Sequence, residues 1–429
     1  MAYTVTTTTS YGDRLKRSFK GIASGVLFFI IGTVLLFWNE GNFVKTRKAL
    51  NEAEGKCVSV ESVAQVDSAL SGQLIHASAR AETQDRLTDD IFGVDTVAIA
   101  LKRKVEYYQY VEHESSKTKD KIGGGQETVT TYTYSKGWVS RPIESSAFKD
   151  PEYKASNKVL TEVKDKDEQA ENVTFGAYKL PKFLVSRITG DVPAEVNLTD
   201  EQKQEWTKKL GGTAAAAPAP AAAAKPEQME LALDSGQAAA APAPAAPAVA
   251  PLIHVNGNVV YLGKDPSNPQ IGDLRITLTK ILPADISIIA KVVGSTFEAF
   301  KASNGKSVSR LAMGTVSAEN MFEAAHAGNN MLTWILRIIG VLCVIGGLKG
   351  IFGILGEVFK VLPFLGNIVG AGVGFVCGVV GFAWSLLIIA IAWLTYRPLI
   401  GVPLLVVAVA AIVWIKKKGA EKQLPPPAE

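Results

Sequence analysis

A chain of 429 residues with 45 Lys and Arg against 41 Asp and Glu carries a net charge of only +4, too little for a general pull toward nucleic acid. No basic stripe interleaved with aromatics is present, so no nucleic-acid partner is expected. The three cysteines, Cys57, Cys343 and Cys377, lie far apart, which excludes a disulfide framework and a CxxC metal site.

Apolar residues concentrate at the two ends. From Ile22 to Trp38 the chain reads IASGVLFFIIGTVLLFW without a charge, near the lower limit for crossing a hydrocarbon core of about 30 Å. Arg14, Lys16, Arg17 and Lys20 precede it as in a signal peptide, but bulky Leu35 to Trp38 close the run and no small-residue cleavage site follows. A retained anchor is the better reading, with Asn39-Glu40-Gly41-Asn42 as its interfacial exit.

The middle of the chain is strand-like. Val105, Tyr107 and Val111 alternate with Glu106, Tyr108, Tyr110 and Glu112, and Thr128 to Trp138 is rich in Thr and Tyr, types that fit a pleated surface. Gly123-Gly124-Gly125 between the two runs predicts a long hairpin. A helix is expected over Asp200 to Leu210. Residues 213–251 form an Ala/Pro-rich spacer, a composition that resists both a packed core and a stable helix. Asn256-Gly257 then predicts a tight hairpin, and further strands are expected from Leu274 to Leu311. Ser317 caps a helix that runs toward Met331.

Three more spans are expected: Met331 to Leu348, Ile368 to Leu394 and Leu399 to Ile415. Lys and Arg counts in the flanking segments place both termini in the cytoplasm and the middle domain outside it. Arg337, inside the second span, is expected to snorkel to the outer interface; a buried pairing is the alternative, and no acidic partner is visible in another span. Arg397 lies on the same outer side. Between the second and third spans, Ile351, Leu355, Val358 and Leu362 fall on one helical face and Lys349, Glu357 and Lys360 on the other. This predicts an amphipathic interfacial segment over 349–362, ended by Pro363; a connector packed on the bundle is the alternative. Gly366, Gly370, Gly374 and Gly378 give the third span a face without side chains, suited to close helix packing within the chain or between copies.

The divisions are therefore 1–45, cytoplasmic N-terminus and first membrane helix; 46–212, first part of the β-rich domain; 213–251, spacer; 252–330, second part of that domain; 331–418, a three-helix membrane bundle; and 419–429, cytoplasmic tail. The expected fold class is an integral membrane α-helical protein of four spans, one N-terminal and three C-terminal, with a β-rich α+β extracytoplasmic domain.

Signs of chemistry are weak. His76, His113, His254 and His326 have no partners at metal-ligand spacing. Asn304-Gly305-Lys306-Ser307 contains GKS, but Phe300 stands where a phosphate-binding loop needs glycine, so a hairpin turn is the better reading. No catalytic, cofactor-binding or metal residues are assigned, and the protein is expected not to be an enzyme.

Several stretches taken together, FWNEGNFVKT, GQLIHASA, VEYYQYVEHE with TYTYSKGW, NPQIGDLRITL, SAENMFEAAHAGNNMLTWILRIIG and WLTYRPLIG, resemble the transmembrane protein 43 (LUMA) family. The resemblance spans most of the chain except the Ala/Pro spacer, a departure that suggests a bacterial member. It implies four spans and a large domain in the periplasm of a bacterial inner membrane, or in the endoplasmic reticulum or inner nuclear membrane space of a eukaryote. Animal relatives are associated with nuclear-envelope organisation through lamin and emerin partners and with self-association; the family has no established catalytic residues. The expected function is a non-enzymatic oligomeric membrane scaffold organising the envelope or its lipids, with the bilayer, further copies and other envelope proteins as partners. The alternative is a lipid-related membrane enzyme or transport component acting in the helix bundle.

Overall fold

The computed structural model describes residues 2–211, 252–399, 401–403 and 406. The spacer 213–251, most of the expected fourth span and the tail 419–429 lie outside the described residues. Five helices are described: α1 (Tyr11–Lys56), α2 (Lys182–Val185), α3 (Asp200–Lys209), α4 (Ala318–Val358) and α5 (Pro363–Tyr396). Of these, α1, α4 (with the short turn that continues it to Val361) and α5 are long and apolar enough to cross a membrane. Their apolar belts are outward-facing, with Phe28, Val34, Trp334, Leu342, Phe375 and Leu386 all exposed. A soluble protein does not leave so much contiguous apolar surface to water.

Helices α1 and α4 run antiparallel at backbone contact. A Cβ added at Gly25 would stand 2.7 Å from the Gly347 carbonyl oxygen, and one at Gly32 would stand 2.9 Å from the Gly340 carbonyl oxygen. Seven residues further along, the Asn39 amide donates to the Thr333 carbonyl at 3.1 Å. Small or hydrogen-bonding residues thus recur every seventh position on both helices, the spacing of a shallow antiparallel crossing. Between lipid-facing helices, where water exclusion supplies no drive, such close approach is what holds them together.

The β-rich domain contains two large sheets. One has eight strands, six of them in the spatial order Tyr3–Thr9, Gln126–Val139, Ala100–Asp120, Leu274–Ile281, Val259–Leu262 and Ile253–Asn256. In the other, Leu74–Thr83 pairs with Ala284–Val293, and Thr296–Glu298, Tyr178–Lys179 and Val173–Phe175 complete a five-stranded ring, to which Cys57–Ser59 and Arg310–Met313 are added as outer strands. Phe175, Tyr178, Ile286, Ile288 and Phe297 fill it. The end of α1 and the start of α4 pack on this second sheet through Ala49, Leu50, Phe322, Leu74 and Ile289. The hairpin turns read from sequence are present: Gly257 and Gly305 adopt positive φ at their tips, and Ser317 caps α4.

Two features differ from the sequence expectation. Residues 349–358 are not a separate interfacial segment; α4 continues through them unbroken to Val358. No proline interrupts this stretch, and Glu357 and, just past its end, Lys360 find partners in Arg14 of α1 and Asp120 of the hairpin. The break falls at Leu362, and Pro363 opens α5 at the first helical position, where a missing N–H costs nothing.

The second difference concerns the N-terminus. The strand Tyr3–Thr9 pairs antiparallel with Gln126–Tyr132 in the long hairpin, whereas the sequence reading set residues 1–20 and this domain on opposite sides of the membrane. The hairpin strand Ala100–Asp120 is about 66 Å long at the usual strand rise. Helix α1 covers about 54 Å between Arg14 and Leu50. The hairpin therefore reaches from the domain body to the far end of the helix bundle. A bilayer across α1 is compatible with this sheet only if the ribbon passes the depth of the apolar belts. Its sequence there, VEHESSKTKD against QETVTTYTYS, is too polar to face acyl chains, so it requires protein or water around it.

Cysteines at Thr6 and Val129, which face each other in this register, are expected to form a disulfide under mild oxidation in native membranes, in a background with Cys57, Cys343 and Cys377 replaced by Ala. No cross-link there or at Val5 with Thr130 would contradict the pairing. Replacing Gly347 by Leu, against the Phe29 backbone, is expected to cost at least ~1–3 kcal/mol in denaturant unfolding.

Candidate functional site

The bundle holds two charged seams, one at each end of the apolar belts. At the domain-proximal seam, the α1 residue Glu40 is fully buried and takes Arg337 of α4 in a two-point pair, 2.6 Å from Nε and 2.9 Å from Nη2. Trp393 of α5 donates its indole N–H to the same carboxylate at 2.9 Å. The Arg337 guanidinium also lies over the Trp334 ring at 4.8 Å, and Arg397 over Phe43 at 4.4 Å. Asn329 donates to the Phe43 carbonyl at 3.2 Å, and Tyr396 covers Gly41, whose missing side chain makes room for the ring. All three helices are thereby tied at one level.

Arg337 thus neither snorkels nor lacks an acidic partner. Glu40 sits directly after the apolar run, and the polar Asn39 before it makes both residues look like an exit to water. The structure places them inside the helix contact, because α1 continues helical to Lys56. An unpaired Arg at the centre of a span costs about 2.5–3.5 kcal/mol by insertion scales; the two-point pair and the indole N–H remove most of that cost.

At the far seam, Arg14 near the start of α1 is 5 % exposed. It donates to Glu357 of α4 at 2.9 and 2.6 Å and to Asp120 at the hairpin tip at 2.7 Å. Lys360 closes the cluster, 2.7 Å from Glu357 and 3.8 Å from Asp120. The Gly123 amide donates to the Val361 carbonyl, and Tyr11 packs where a side chain on Gly124 would be. Two cations and two carboxylates balance, so the hairpin tip, α1 and α4 are fastened without net charge. Sequence reasoning found Glu357 and Lys360 as interfacial charges but missed Arg14 and Asp120 as their partners.

The glycines of α5 divide. Gly366 is used within the chain, tight against Lys360 at the α4–α5 turn. The Gly370 backbone is approached by Gly356, whereas a side chain added at Gly370 or Gly378 would meet nothing within 4 Å. Lys349 is the near neighbour of Gly374, at 3.9 Å from an added Cβ. Close backbone packing inside the chain is thus carried mainly by Gly25, Gly32, Gly340 and Gly347. Their seven-residue spacing was the signal available for it.

Outside the bundle, the α1 residue Glu52 accepts from the Ser303 hydroxyl and amide at 2.6 and 2.9 Å. Hydrogen bonding from Lys56 and then Ser303 holds its carboxyl down to about 2. Among the described residues no group of three or more His, Cys, Asp or Glu is placed to hold a metal ion. The carboxylate of Glu40 and the guanidinium of Arg337 are engaged with each other and with Trp393.

The family model for Transmembrane protein 43 matches residues 107–398, which include most of the hairpin, α4, α5 and both Arg337 and Trp393. The chain belongs to the transmembrane protein 43 family. It is 26 % identical to Transmembrane protein 43 of Homo sapiens over 399 residues, covering 90 % of this chain and 87 % of the human protein. Transmembrane protein 43 of Pongo abelii is 25 % identical over 424 residues, with 96 % and 93 % covered. The homolog from Drosophila melanogaster is 25 % identical over 399 residues, with 92 % and 93 % covered. No solved structure matches the chain. Family membership and the apolar helices together establish a multi-pass membrane protein with a β-rich domain.

Breaking one partner of the buried pair leaves an uncompensated charge. Glu40→Gln is expected to lower stability by about 3–5 kcal/mol, and Glu40→Gln with Arg337→Met by clearly less than the sum of the single changes. Unfolding of the detergent-solubilised protein in a double-mutant cycle checks this.

Proposed function

We propose that this protein is a non-enzymatic membrane scaffold that assembles with copies of itself and presents a rigid β-rich platform to the envelope and its lipids. One observation carries the reading: the β-rich domain grips the helix bundle at both ends of the apolar belts. It does so through Leu50 and Phe322 at one end and Asp120 with Arg14 at the other. A domain fixed at two points some 50 Å apart on helix α1 cannot swing freely about a single linker. Such coupling suits a part that holds position, and transmits strain between membrane and domain, better than one that opens and closes on a substrate.

Two further observations favour assembly. On the α5 glycine face, side chains added at Gly370 and Gly378 would meet nothing within 4 Å among the described residues and one at Gly374 only the end of Lys349, so this face is suited to a helix of a second copy. The polar ribbon beside the belts needs covering from acyl chains, which neighbouring copies would supply. The direction of insertion follows the Lys and Arg bias, with the chain start on the cytoplasmic side of a bacterial inner membrane, or of the corresponding endoplasmic reticulum or nuclear membrane. A transport or lipid-enzyme role in the bundle is less favoured, because Glu40 and Arg337 neutralise each other instead of facing a midplane cavity.

Native mass measurement in nanodiscs is expected to show an oligomer. Gly374→Leu is expected to shift it toward smaller species while leaving the unfolding midpoint close to that of the parent, since among the described residues an added Cβ meets only the end of Lys349. A strict monomer for the parent protein would contradict the assembly reading.

A further inference from the structure

A cavity of about 570 Å³ lies where the β-rich domain meets the membrane helices. Asn42 and Thr46 of α1 form one wall, Met321 and Leu332 of α4 another, and the third is made by Arg310 of the strand Arg310–Met313, which pairs with Ala284–Val293 in the second sheet, and by Lys306 in the turn of the small hairpin that precedes it. Its height is set by the helices. Asn42 follows the end of the apolar run at Trp38 by one turn, and Leu332 begins the apolar belt of α4, so the mouth lies at headgroup depth.

The charges around it are unbalanced. The Lys306 ammonium donates to the Asn42 side-chain oxygen at 2.6 Å, and Arg187 donates only to Ser309, at 2.9 and 3.3 Å. Among the described residues neither these two nor Arg310 has a carboxylate within ion-pair distance, although eighteen such pairs are formed elsewhere. The Arg310 Nε is closed off from solvent and makes no hydrogen bond. Burial, and then the Arg187 charge, push the Arg310 guanidinium below its ordinary value. Arginines that repel each other with no carboxylate beside either cost stability unless an anion offsets their charge.

We propose that this cavity is a binding site for the phosphate of an anionic phospholipid. Arg310 and Lys306 hold the phosphate oxygens, and the apolar wall from Met321 to Leu332 carries the glycerol and upper acyl chains down to the belt. The volume falls in the range of ordinary small-ligand sites. Guanidinium groups suit phosphate because their N–H donors match its oxygens two at a time. The site goes beyond the scaffold reading and does not depend on it. It needs only that the chain sits in a bilayer.

The test uses the full chain in nanodiscs of phosphatidylcholine alone or with a minority of phosphatidylglycerol, read by thermal unfolding and by mass spectrometry of retained lipid. The parent protein is expected to gain several degrees in midpoint and to retain phosphatidylglycerol in excess of its share of the bilayer. Arg310→Gln is expected to lose both effects and, in phosphatidylcholine alone, to be at least as stable as the parent, because it removes a half-buried charge that has no carboxylate beside it. A merely structural arginine would give the opposite result in phosphatidylcholine. Ala325→Trp, which fills the cavity and keeps every charge, is expected to lose the gain as well, and it carries the test if Arg310→Gln does not fold. Equal gains in parent and variants would overturn the site. A gain reproduced by inorganic phosphate in phosphatidylcholine nanodiscs would overturn the lipid assignment.

Discussion

A charge carried into or beside hydrocarbon has to be neutralised where it stands, and this protein places an arginine at each end of its apolar belts under that constraint. Arg337 is met by Glu40 and flanked by Trp334 and Trp393; Arg14 is met by Glu357 and Asp120. Each pair joins helices distant in sequence, so each also fixes the register of α1 against α4. Between the two seams the helices touch through glycine, where a sliding of even one residue would drive side chains into backbone. Charge pairing sets the ends and the glycines set the separation.

The same pairs recruit the β-rich domain into the bundle. Asp120 is at the tip of a hairpin whose base lies in the domain body, and the N-terminal strand Tyr3–Thr9 widens that hairpin to three strands just before the chain turns into α1. The ribbon's inner strand, Gln126–Tyr132, gains a second partner, but the ribbon is built mainly of Thr, Ser, Glu and Lys rather than the apolar types that tolerate lipid. Helix, hairpin and N-terminal strand thus form one mechanical unit, whose polar ribbon asks for a neighbour. The family to which the chain belongs is named for its membrane helices; here the part that joins them to the domain is a β-ribbon.

Much of this was legible in the residues. The apolar runs located the three described membrane helices, Gly123 to Gly125 located the hairpin turn, and Ser317 located the start of α4. What was not legible depended on contacts across long sequence separations. Glu40 follows Asn39 at the end of an apolar run and reads as leaving the membrane; only the position of Arg337 on the facing helix shows it to be inside. Arg14 reads as one of four N-terminal cations because its partners come more than a hundred and more than three hundred residues later. The Thr-rich segment TVTTTT has strand propensity, but nothing local says that it adds to TVTTYTY of the hairpin. The glycines of α5 recur every fourth residue and are conspicuous in the sequence, whereas the seven-residue spacing of Gly25, Gly32, Gly340 and Gly347 does the packing.

The hairpin tip lies at the far end of the helix bundle, beyond the apolar belts, where Asp120 meets Arg14. Spin labels at Lys119, near the tip, and at Phe359, just after α4, measured by pulsed dipolar spectroscopy in native-like bilayers, test it most directly. A single population of distances shorter than the ~30 Å hydrocarbon thickness is the predicted result. Distances longer than that thickness would place the tip on the domain side of the membrane and contradict the account.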